Sequence, residues 1–183
     1  LPGAVRARQE HDLADIYGGE LCLAVTQPAN DVNQHATIIL VDITGHQAQA
    51  AAMLEKVTQN LLQQGAKKKT ETIGDASATV FEMPKKRPDN PDVEAVYVIH
   101  QDMLVVTDRR DLCQHVVARL NGASGDTLSQ VPAFVATLSR CAKDAGDVQP
   151  HIRWFVEPVG YAQVARAENG GRKKRGVDLL KVL

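Results

Sequence analysis

Aromatic residues are scarce in this sequence, which has three Phe, three Tyr and one Trp among its 183 residues. We therefore expect a core built from Ala, Val, Leu and Ile, with few of the ring surfaces on which nucleic-acid bases stack. Apolar residues at 44% and charged residues at 23% are ordinary for a globular protein. A chain of this length is expected to bury such a core without covalent cross-links.

A large net charge and a long apolar run are also missing. The formal net charge is only −1, so the chain as a whole creates no strong field for nucleic acid or a membrane surface. No run of about 18 apolar residues occurs, and the sequence therefore predicts no membrane-spanning helix.

Cysteine is also rare, and the three cysteines form no CxxC pair. The odd number leaves at least one thiol free or paired with another chain. Cys22 lies in an apolar strand-like run and Cys141 on an apolar helix stripe. We expect both to be buried as small apolar side chains.

Short segments of strand composition dominate the chain. Leu21, Leu23 and Val25 alternate with other residues at the period of two that indicates a half-buried strand. Turn residues at Gly74 and Asp75, and again around residues 100–102, predict two hairpins. The predicted strands cover residues 20–27, 37–43, 67–73, 77–83, 94–99, 103–107 and 152–156.

Helices are predicted where apolar residues recur at steps of three and four. Thr44 and Gln47 have the spacing of a capping box, and Gly65 is suited to end that helix. Asp108 is expected to cap the next helix, and Gly122 to end it. The predicted helices cover residues 44–65, 108–121, 129–141 and 158–167.

The predicted order of elements is β-β-α-β-β-β-β-α-α-β-α, without a serial βαβ rhythm. This order favours an α+β fold, in which a mainly antiparallel sheet built from hairpins has its helices packed on one face. We expect residues 1–168 to form a single domain. Residues 169–183 are expected to be a basic, Gly-rich connector and the start of a truncated following element, because both ends of the chain look cut from a longer protein.

Two His/Asp pairs are the first candidates for acid–base chemistry. His100 and Asp102 flank a hairpin turn, and Asp42 and His46 lie between a strand and a helix. No third residue is placed to orient either pair. Polar residues at such positions usually serve turns and caps, which is the interpretation that we prefer.

A thiol is the other candidate nucleophile. Cys113 and His115 are two apart on a predicted helix, where positions i and i+2 do not face each other. Cys113 would need a histidine from elsewhere in the chain, such as His35 or His151, to become reactive.

The sequence predicts no catalytic residue, no metal site and no cofactor. The six histidines lack the spacing of metal ligands. The glycines at 18–19 and 122–125 lack the Lys-Ser/Thr of a phosphate-binding loop, and we interpret them as turns.

Three basic clusters occupy residues 67–69, 85–87 and 172–175. Such clusters can bind a polyanion with a salt-dependent affinity. No aromatic residue lies among them, which argues against nucleic-acid binding. Lysines on an edge strand also prevent unwanted strand pairing, and this is the more ordinary interpretation.

Trp154 and Phe155 form the one dense aromatic pair. If residues 152–156 are a strand, the two rings point to opposite faces. One ring would then enter the core while the other covers a linker, a neighbouring domain or another protein. We therefore take Trp154 and Phe155 as the candidate interface.

Residues 153–161 (RWFVEPVGY) and 172–181 (RKKRGVDLLK) also carry a family resemblance. Together with residues 19–25 and 126–134, they resemble an internal stretch of large bacterial proteins, often predicted to be exported, that are classed as domains of unknown function. The likeness covers about residue 19 to the end, although Thr127 stands where that family commonly has Ser. It implies an extracytoplasmic location and a chain that continues past Leu183, and it implies no activity.

Three hypotheses follow for function. The preferred one is a non-catalytic interaction or structural module of a larger exported protein, whose partner is a neighbouring domain, another protein or a second copy of itself. The first alternative is a hydrolase with a His/Asp or Cys/His site assembled in space. The second is a weak polyanion binder that uses the basic loops.

Overall fold

A computed structural model describes residues 15–28, 33–84, 93–148 and 150–168. The chain divides into two compact units. Unit 1 comprises Leu1–Thr26 and His35–Gly122, and unit 2 comprises Gln27–Gln34 and Ala123–Leu183. The connector predicted at residues 169–183 lies outside the described residues, so the expected division at residue 168 stays a prediction.

Unit 1 contains a six-stranded antiparallel sheet, and the predicted α+β class is confirmed. The spatial order of the strands in the described part of the chain is β1-β2-β6-β5-β4-β3, so β1 and β3 are the edges of this sheet. The elements of unit 1 are β1 (Leu21–Thr26), β2 (Ala36–Asp42), α1 (Gln47–Gln63), β3 (Lys67–Ile73), β4 (Ala76–Glu82), β5 (Glu94–His100), β6 (Met103–Thr107) and α2 (Arg110–Leu120).

Both predicted hairpins are present. Gly74 has a φ of +65° in the turn between β3 and β4, a conformation that glycine adopts without strain. Gln101 and Asp102 both have positive φ between β5 and β6, as a two-residue type I′ turn requires. The Asp102 carbonyl accepts a hydrogen bond from the Ile43 amide at 2.9 Å, and this bond ties the turn to the end of β2.

The two helices of unit 1 pack on opposite faces of the sheet, and the expectation of helices on one face is corrected. Cys113 and Val117 of α2 belong to one buried cluster, together with Val98 and Val105 of the sheet. Ala50 of α1 belongs to a second cluster, which contains residues of the alternate sheet positions. The members of that second cluster are Ile16, Val41, Ile43, Ala50 and Leu104.

The reason for two covered faces lies in the central strands. Residues 38–41 of β2 and 104–106 of β6 are continuously apolar, so each strand presents apolar side chains to both sides. A sheet with such strands loses stability unless both of its faces are shielded from water. The helix after β2 covers one face, and the helix after β6 covers the other.

The start of α1 differs from the predicted capping box. The N-cap is His46, which makes no side-chain cap bond, and the helix begins at Gln47. Thr44 instead donates its backbone N–H and its hydroxyl to Asp42, at 2.9 and 2.6 Å. Gly65 follows the helix with a φ of +86°, as predicted.

The start of α2 also differs, while its end does not. Its N-cap is Arg109, and Asp108 accepts a hydrogen bond from the Thr37 amide of β2 at 2.9 Å. Asp108 therefore links α2's entry loop to the sheet instead of capping the helix. Gly122, with a φ of +87°, ends α2 as expected.

Unit 2 is helical in its described part. A 3₁₀ turn covers Leu128–Gln130 and is followed by α3 (Pro132–Ala145) and α4 (Pro158–Glu168). Thr127 and Gln130 form a capping box on the 3₁₀ turn, so the helix expected from Ser129 begins three residues later as α3. The predicted helix from Pro158 is confirmed.

The predicted strand at residues 152–156 is wrong. These residues belong to neither a helix nor a strand. Apolar, β-branched composition favours a strand, but a strand forms only when a neighbouring strand accepts and donates its ladder hydrogen bonds. None of the described strands pairs with residues 152–156.

Candidate interaction surfaces

Trp154 and Phe155, the predicted interface pair, lie in opposite environments. Trp154 is 78% exposed. Phe155 is half-buried, and its ring meets the Phe134 ring of α3 edge to face, with centroids 5.0 Å apart and planes at 90°. Such an aromatic pair contributes about 0.5–1.5 kcal/mol beyond its buried area. Phe155 therefore anchors the segment, and Trp154 is the ring that is available to a partner.

Exposed apolar residues surround Trp154 in sequence. Ile152 is 70% exposed and Val156 is 60% exposed. We call residues 152–156 the apolar segment. Val159 and Tyr161 of α4, at 64% and 59% exposure, follow it directly. Exposed apolar residues that are scattered singly are normal, but a run of them that includes Trp marks an interaction surface.

Glu157 fixes the junction between the apolar segment and α4. Its carboxylate accepts hydrogen bonds from the amides of Val159, at 3.1 Å, and Gly160. A carboxylate at this position satisfies amides that the first helical turn leaves unpaired. Pro158 follows and begins α4, as its fixed φ and missing N–H favour.

A second exposed apolar surface lies in unit 1. Leu21, Leu23 and Val25 of β1 are 47%, 58% and 46% exposed, and as alternate residues they share one face. Neither of the two core clusters among the described residues includes a residue of β1. This strand is paired with β2 on one side and is the last strand of the sheet on the other.

The opposite edge of the sheet has different chemistry. Residues 67–69 of β3 are three exposed lysines, one of the predicted basic clusters. The clusters at 85–87 and 172–175 lie outside the described residues. Lysines on an edge strand oppose pairing with another strand, so β3 is a protected edge.

Carboxylates neutralise the basic charge near β3. Arg110, at the start of α2, forms ion pairs with Glu71 at 3.4 Å, Glu82 at 3.8 Å and Glu94 at 3.0 Å. Lys69 also bonds to Glu82, and this hydrogen bond is the main cause that lowers the pKa of Glu82. Exposed ion pairs of this kind contribute little to stability, because water and salt screen the charges. The acidic partners of Lys69 and Arg110 weaken the hypothesis of a polyanion site here.

The Asp42/His46 pair does not form an acid–base dyad. Thr44 donates both its hydroxyl and its amide to Asp42, and these two bonds hold the pKa of that carboxyl below its usual value. His46 lies at the N-cap of α1, and its Nδ1 is buried without a hydrogen-bond partner. The two side chains therefore serve the loop between β2 and α1 separately.

His100 and Asp102 also bond to different residues. His100 Nε2 lies 2.8 Å from Asn121 Oδ1 and 3.8 Å from Asp75 Oδ1. Asp102 accepts a hydrogen bond from the Gln47 side chain. Asn121 Nδ2 donates to Asp75 at 2.7 Å. The result is a polar cluster that ties two hairpin turns to the end of α2.

Cys113, the candidate nucleophile, is fully buried among apolar side chains. Burial raises the pKa of its thiol, the reverse of what an activated cysteine needs. His115 is exposed on the same helix, and His151 is exposed in unit 2. The expected burial of Cys22 and Cys141 is wrong, because both are exposed. Cys22 is on the edge strand β1, where the core clusters do not reach.

We expect the three thiols to differ sharply in reactivity. In the folded protein at pH 8, alkylation followed by mass spectrometry should label Cys22 and Cys141 rapidly and leave Cys113 unmodified until the chain is denatured. Since burial keeps Cys113 protonated, its contribution to stability should be present below the ordinary thiol pKa and should fall as the pH rises above it. Rapid labelling of Cys113 in the native state would contradict the buried environment and would reopen the hydrolase hypothesis.

Two clefts accompany these surfaces. The larger, with a volume of about 610 Å³, is lined by Lys67, Glu82 and Glu94, with Gly65, Met83, Pro84 and Val93. The smaller, about 260 Å³, lies beside β1 and is lined by Glu20, Cys22, Leu40, Asp42 and Met103. The described residues that line the two clefts include no histidine. In the larger cleft, Glu82 forms an ion pair with Lys69, and Glu94 forms one with Arg110.

Within the described residues, no group of three or more His, Cys, Asp and Glu side chains could hold a metal ion. The helices of the described part are also too short or too polar to span a bilayer. Comparisons of the chain with protein-family models, with curated proteins and with solved structures find no match.

Proposed function

We propose that this chain is a non-catalytic interaction module of a larger exported protein and that it contacts its partner through the apolar segment of unit 2. The observation that carries the proposal is Trp154, the largest side chain type, at 78% exposure on a segment that Phe155 anchors from the other side. Trp is among the residue types that contribute most to protein interfaces.

The exposed side chains of the apolar segment favour burial against a partner. Ile152, Trp154 and Val156 leave most of their apolar surface in solvent, and burying such surface yields about 25 cal/mol per Å². A partner that covers these side chains gains this free energy with little cost in ordering, because the Phe134–Phe155 pair already holds the segment. The partner surface would be apolar, and we propose a neighbouring domain of the longer protein or another exported protein.

The location of the protein is part of the proposal. It rests on the resemblance of residues 153–161 and 172–181 to bacterial proteins that are often predicted to be exported. The complete reading frame, followed by cell fractionation of the full protein, tests it. Recovery of the full protein in the cytoplasm alone would contradict this part of the proposal and would leave the contact surface to be judged separately.

Trp154 also supplies the test of the contact, because it is the one tryptophan in the sequence. In this chain its fluorescence should show a solvent-exposed emission and strong quenching by acrylamide. In the full-length protein, or with the partner bound, the emission should shift to the blue and the quenching should fall. Unchanged emission and quenching in the full-length protein, alone and with the other exported proteins of the same cells, would reject the proposal.

A substitution pair separates contact from folding. Trp154→Ala should weaken partner binding by about 30-fold, as expected for an interface residue worth about 2 kcal/mol. The thermal unfolding midpoint of the Trp154→Ala variant should stay close to that of the parent chain, since the Trp154 side chain is exposed. The matched control is Leu128→Ala, which truncates a 56% exposed apolar side chain of the 3₁₀ turn, outside the apolar segment and α4. Equal effects of the two variants would argue against a contact centred on Trp154.

A further inference from the structure

Among the described residues, β1 of unit 1 pairs with β2 on one side and with no strand on the other, and it also exposes apolar side chains. The Glu20 carbonyl accepts the Asp42 amide at 2.9 Å, so the backbone groups of Glu20 point toward β2. Backbone direction alternates along a strand. The N–H and C=O groups of Leu21, Leu23 and Val25 therefore point away from β2, toward the open side of the sheet.

We propose that β1 pairs with β1 of a second copy of this chain, in antiparallel orientation about a two-fold axis. The proposal concerns unit 1 and does not use the apolar segment, so it stands or falls independently of the proposed contact through Trp154. The pairing would join two six-stranded sheets edge to edge.

The absence of charged side chains on β1 favours a second copy of the chain as the strand that pairs with it. In self-pairing about a two-fold axis, the residue on the axis faces its own copy and the residues on either side of it face each other, so a run of like charges at the axis would repel. Residues 21–26 contain no charged side chain. On the other edge, β3, an axis through Lys68 would set the three lysines of residues 67–69 against those of its copy. Like charges directly opposite each other destabilise a strand pair.

Side-chain faces then select the register. Residues directly opposite in an antiparallel pair share a face, so the axis must pass through a residue. An axis through Leu23 places Leu21 opposite Val25 of the second copy and Leu23 opposite itself, and Glu20 faces Thr26. An axis through Ala24 would instead place Leu21 opposite Gln27. The axis through Leu23 therefore pairs every exposed apolar residue of β1 with another.

A two-fold axis through Leu23 makes a specific prediction for disulfide cross-linking. Because the Leu23 backbone points to the open edge, the two copies of Leu23 would form a hydrogen-bonded pair, with Cα atoms about 5.5 Å apart. This separation suits a disulfide. In a Cys22→Ala, Cys141→Ala background, Leu23→Cys should give a covalent dimer under mild oxidation, read on a non-reducing gel.

Controls for register come from the same strand. Val25→Cys alone should cross-link at least 10-fold more slowly, because its copy lies four residues away, about 13 Å along the strand. An equal mixture of Leu21→Cys and Val25→Cys chains should cross-link with each other. Leu62→Cys on α1, at 46% exposure, reports random collisions. Equal rates for all variants, or no dimer for Leu23→Cys at millimolar protein, would overturn the proposal.

The dimer itself is measured by sedimentation over a range of protein concentrations, since a small edge-to-edge interface predicts weak association. Leu23→Lys should abolish the dimer, because lysine on an edge strand blocks pairing. Leu62→Lys, the same exchange at a similarly exposed leucine, should leave the dimer intact, as should Trp154→Ala. Circular dichroism checks that each variant is folded. A monomeric parent chain, or a dimer that survives Leu23→Lys, would refute self-pairing.

Discussion

Val98→Asp is expected to destabilise unit 1 strongly at neutral pH. Val98 lies in β5 opposite Ala78 and Val105, is 1% exposed and belongs to the cluster that α2 covers. Burial raises the pKa of an unpaired carboxyl by about 3–5 units, and each unit corresponds to 1.36 kcal/mol. The expected loss is at least about 4 kcal/mol, a large part of the stability of a small unit. Chemical denaturation followed by circular dichroism measures it.

The matched control for Val98→Asp is Leu23→Asp, which places the same carboxyl on a strand position that is 58% exposed. Its unfolding free energy should change by less than about 1 kcal/mol at a dilution that keeps the chain monomeric. The pH dependence of Val98→Asp has a definite sign. Its folded pKa is raised, so its penalty relative to the parent should shrink as the pH falls through that pKa. Equal stability of the two variants would contradict the assignment of Val98 to the core.

Gly18→Ala is expected to destabilise unit 1 by about 1–3 kcal/mol, the usual cost of inserting an atom into a filled space. A Cβ at residue 18 would lie 2.7 Å from the Thr44 amide nitrogen and 3.1 Å from the Asp42 carbonyl oxygen. Both neighbours are backbone atoms, which cannot rotate away. The Gly18 amide also donates to the Asp42 carbonyl at 2.7 Å, and relieving the clash would lengthen that bond. Thermal unfolding should show a midpoint lowered by several degrees.

Gly19→Ala is the matched control for Gly18→Ala. A Cβ there would approach only the Asp42 carboxylate, at 3.0 Å, and a side-chain oxygen can move aside. The expected loss is therefore below that of Gly18→Ala. Because Gly18 holds the residues just before β1, Gly18→Ala should also reduce cross-linking through Leu23→Cys. A midpoint for Gly18→Ala that equals the midpoint for Gly19→Ala would mean that the loop accommodates the added atom.

The sequence predicted most of unit 1, because its signals are local. Period-two alternation at β1, a continuous β-branched run at β2 and turn residues between the other extended runs located all six strands of the sheet to within a residue or two. Gly65, Gly74 and Gly122 were predicted as stops or turns, and each adopts a positive φ that an L side chain resists. These features depend on residues adjacent in the chain, so no knowledge of the distant neighbours was needed.

The wrong predictions share one cause, which is a partner distant in sequence. Residues 152–156 have strand composition but no described strand beside them. Asp108 was expected to cap a helix, and it instead accepts a hydrogen bond from the amide of Thr37 in β2. Thr44 is the exception, because it bonds to Asp42, only two residues earlier. Cys22 alternates like a core residue, but it lies on the edge strand, where α2 does not cover it.

The candidate surfaces were predicted only in part. Trp154 and Phe155 were singled out by composition, and the inward and outward rings were expected, although the segment is not a strand. The exposed edge of β1 was not predicted, because its sequence reads like that of any half-buried strand. The signal that could have found it is the contrast between the uncharged residues 21–26 and the lysines of residues 67–69.

By itself the amino-acid sequence determined the identity and boundaries of the sheet elements, since backbone propensity, apolar periodicity and turn chemistry act over a few residues. Only the tertiary structure decided which strands became edges, which faces the helices covered and which apolar side chains stayed in water. Those outcomes depend on burial, and burial is a property of segments that meet in space after the chain has folded.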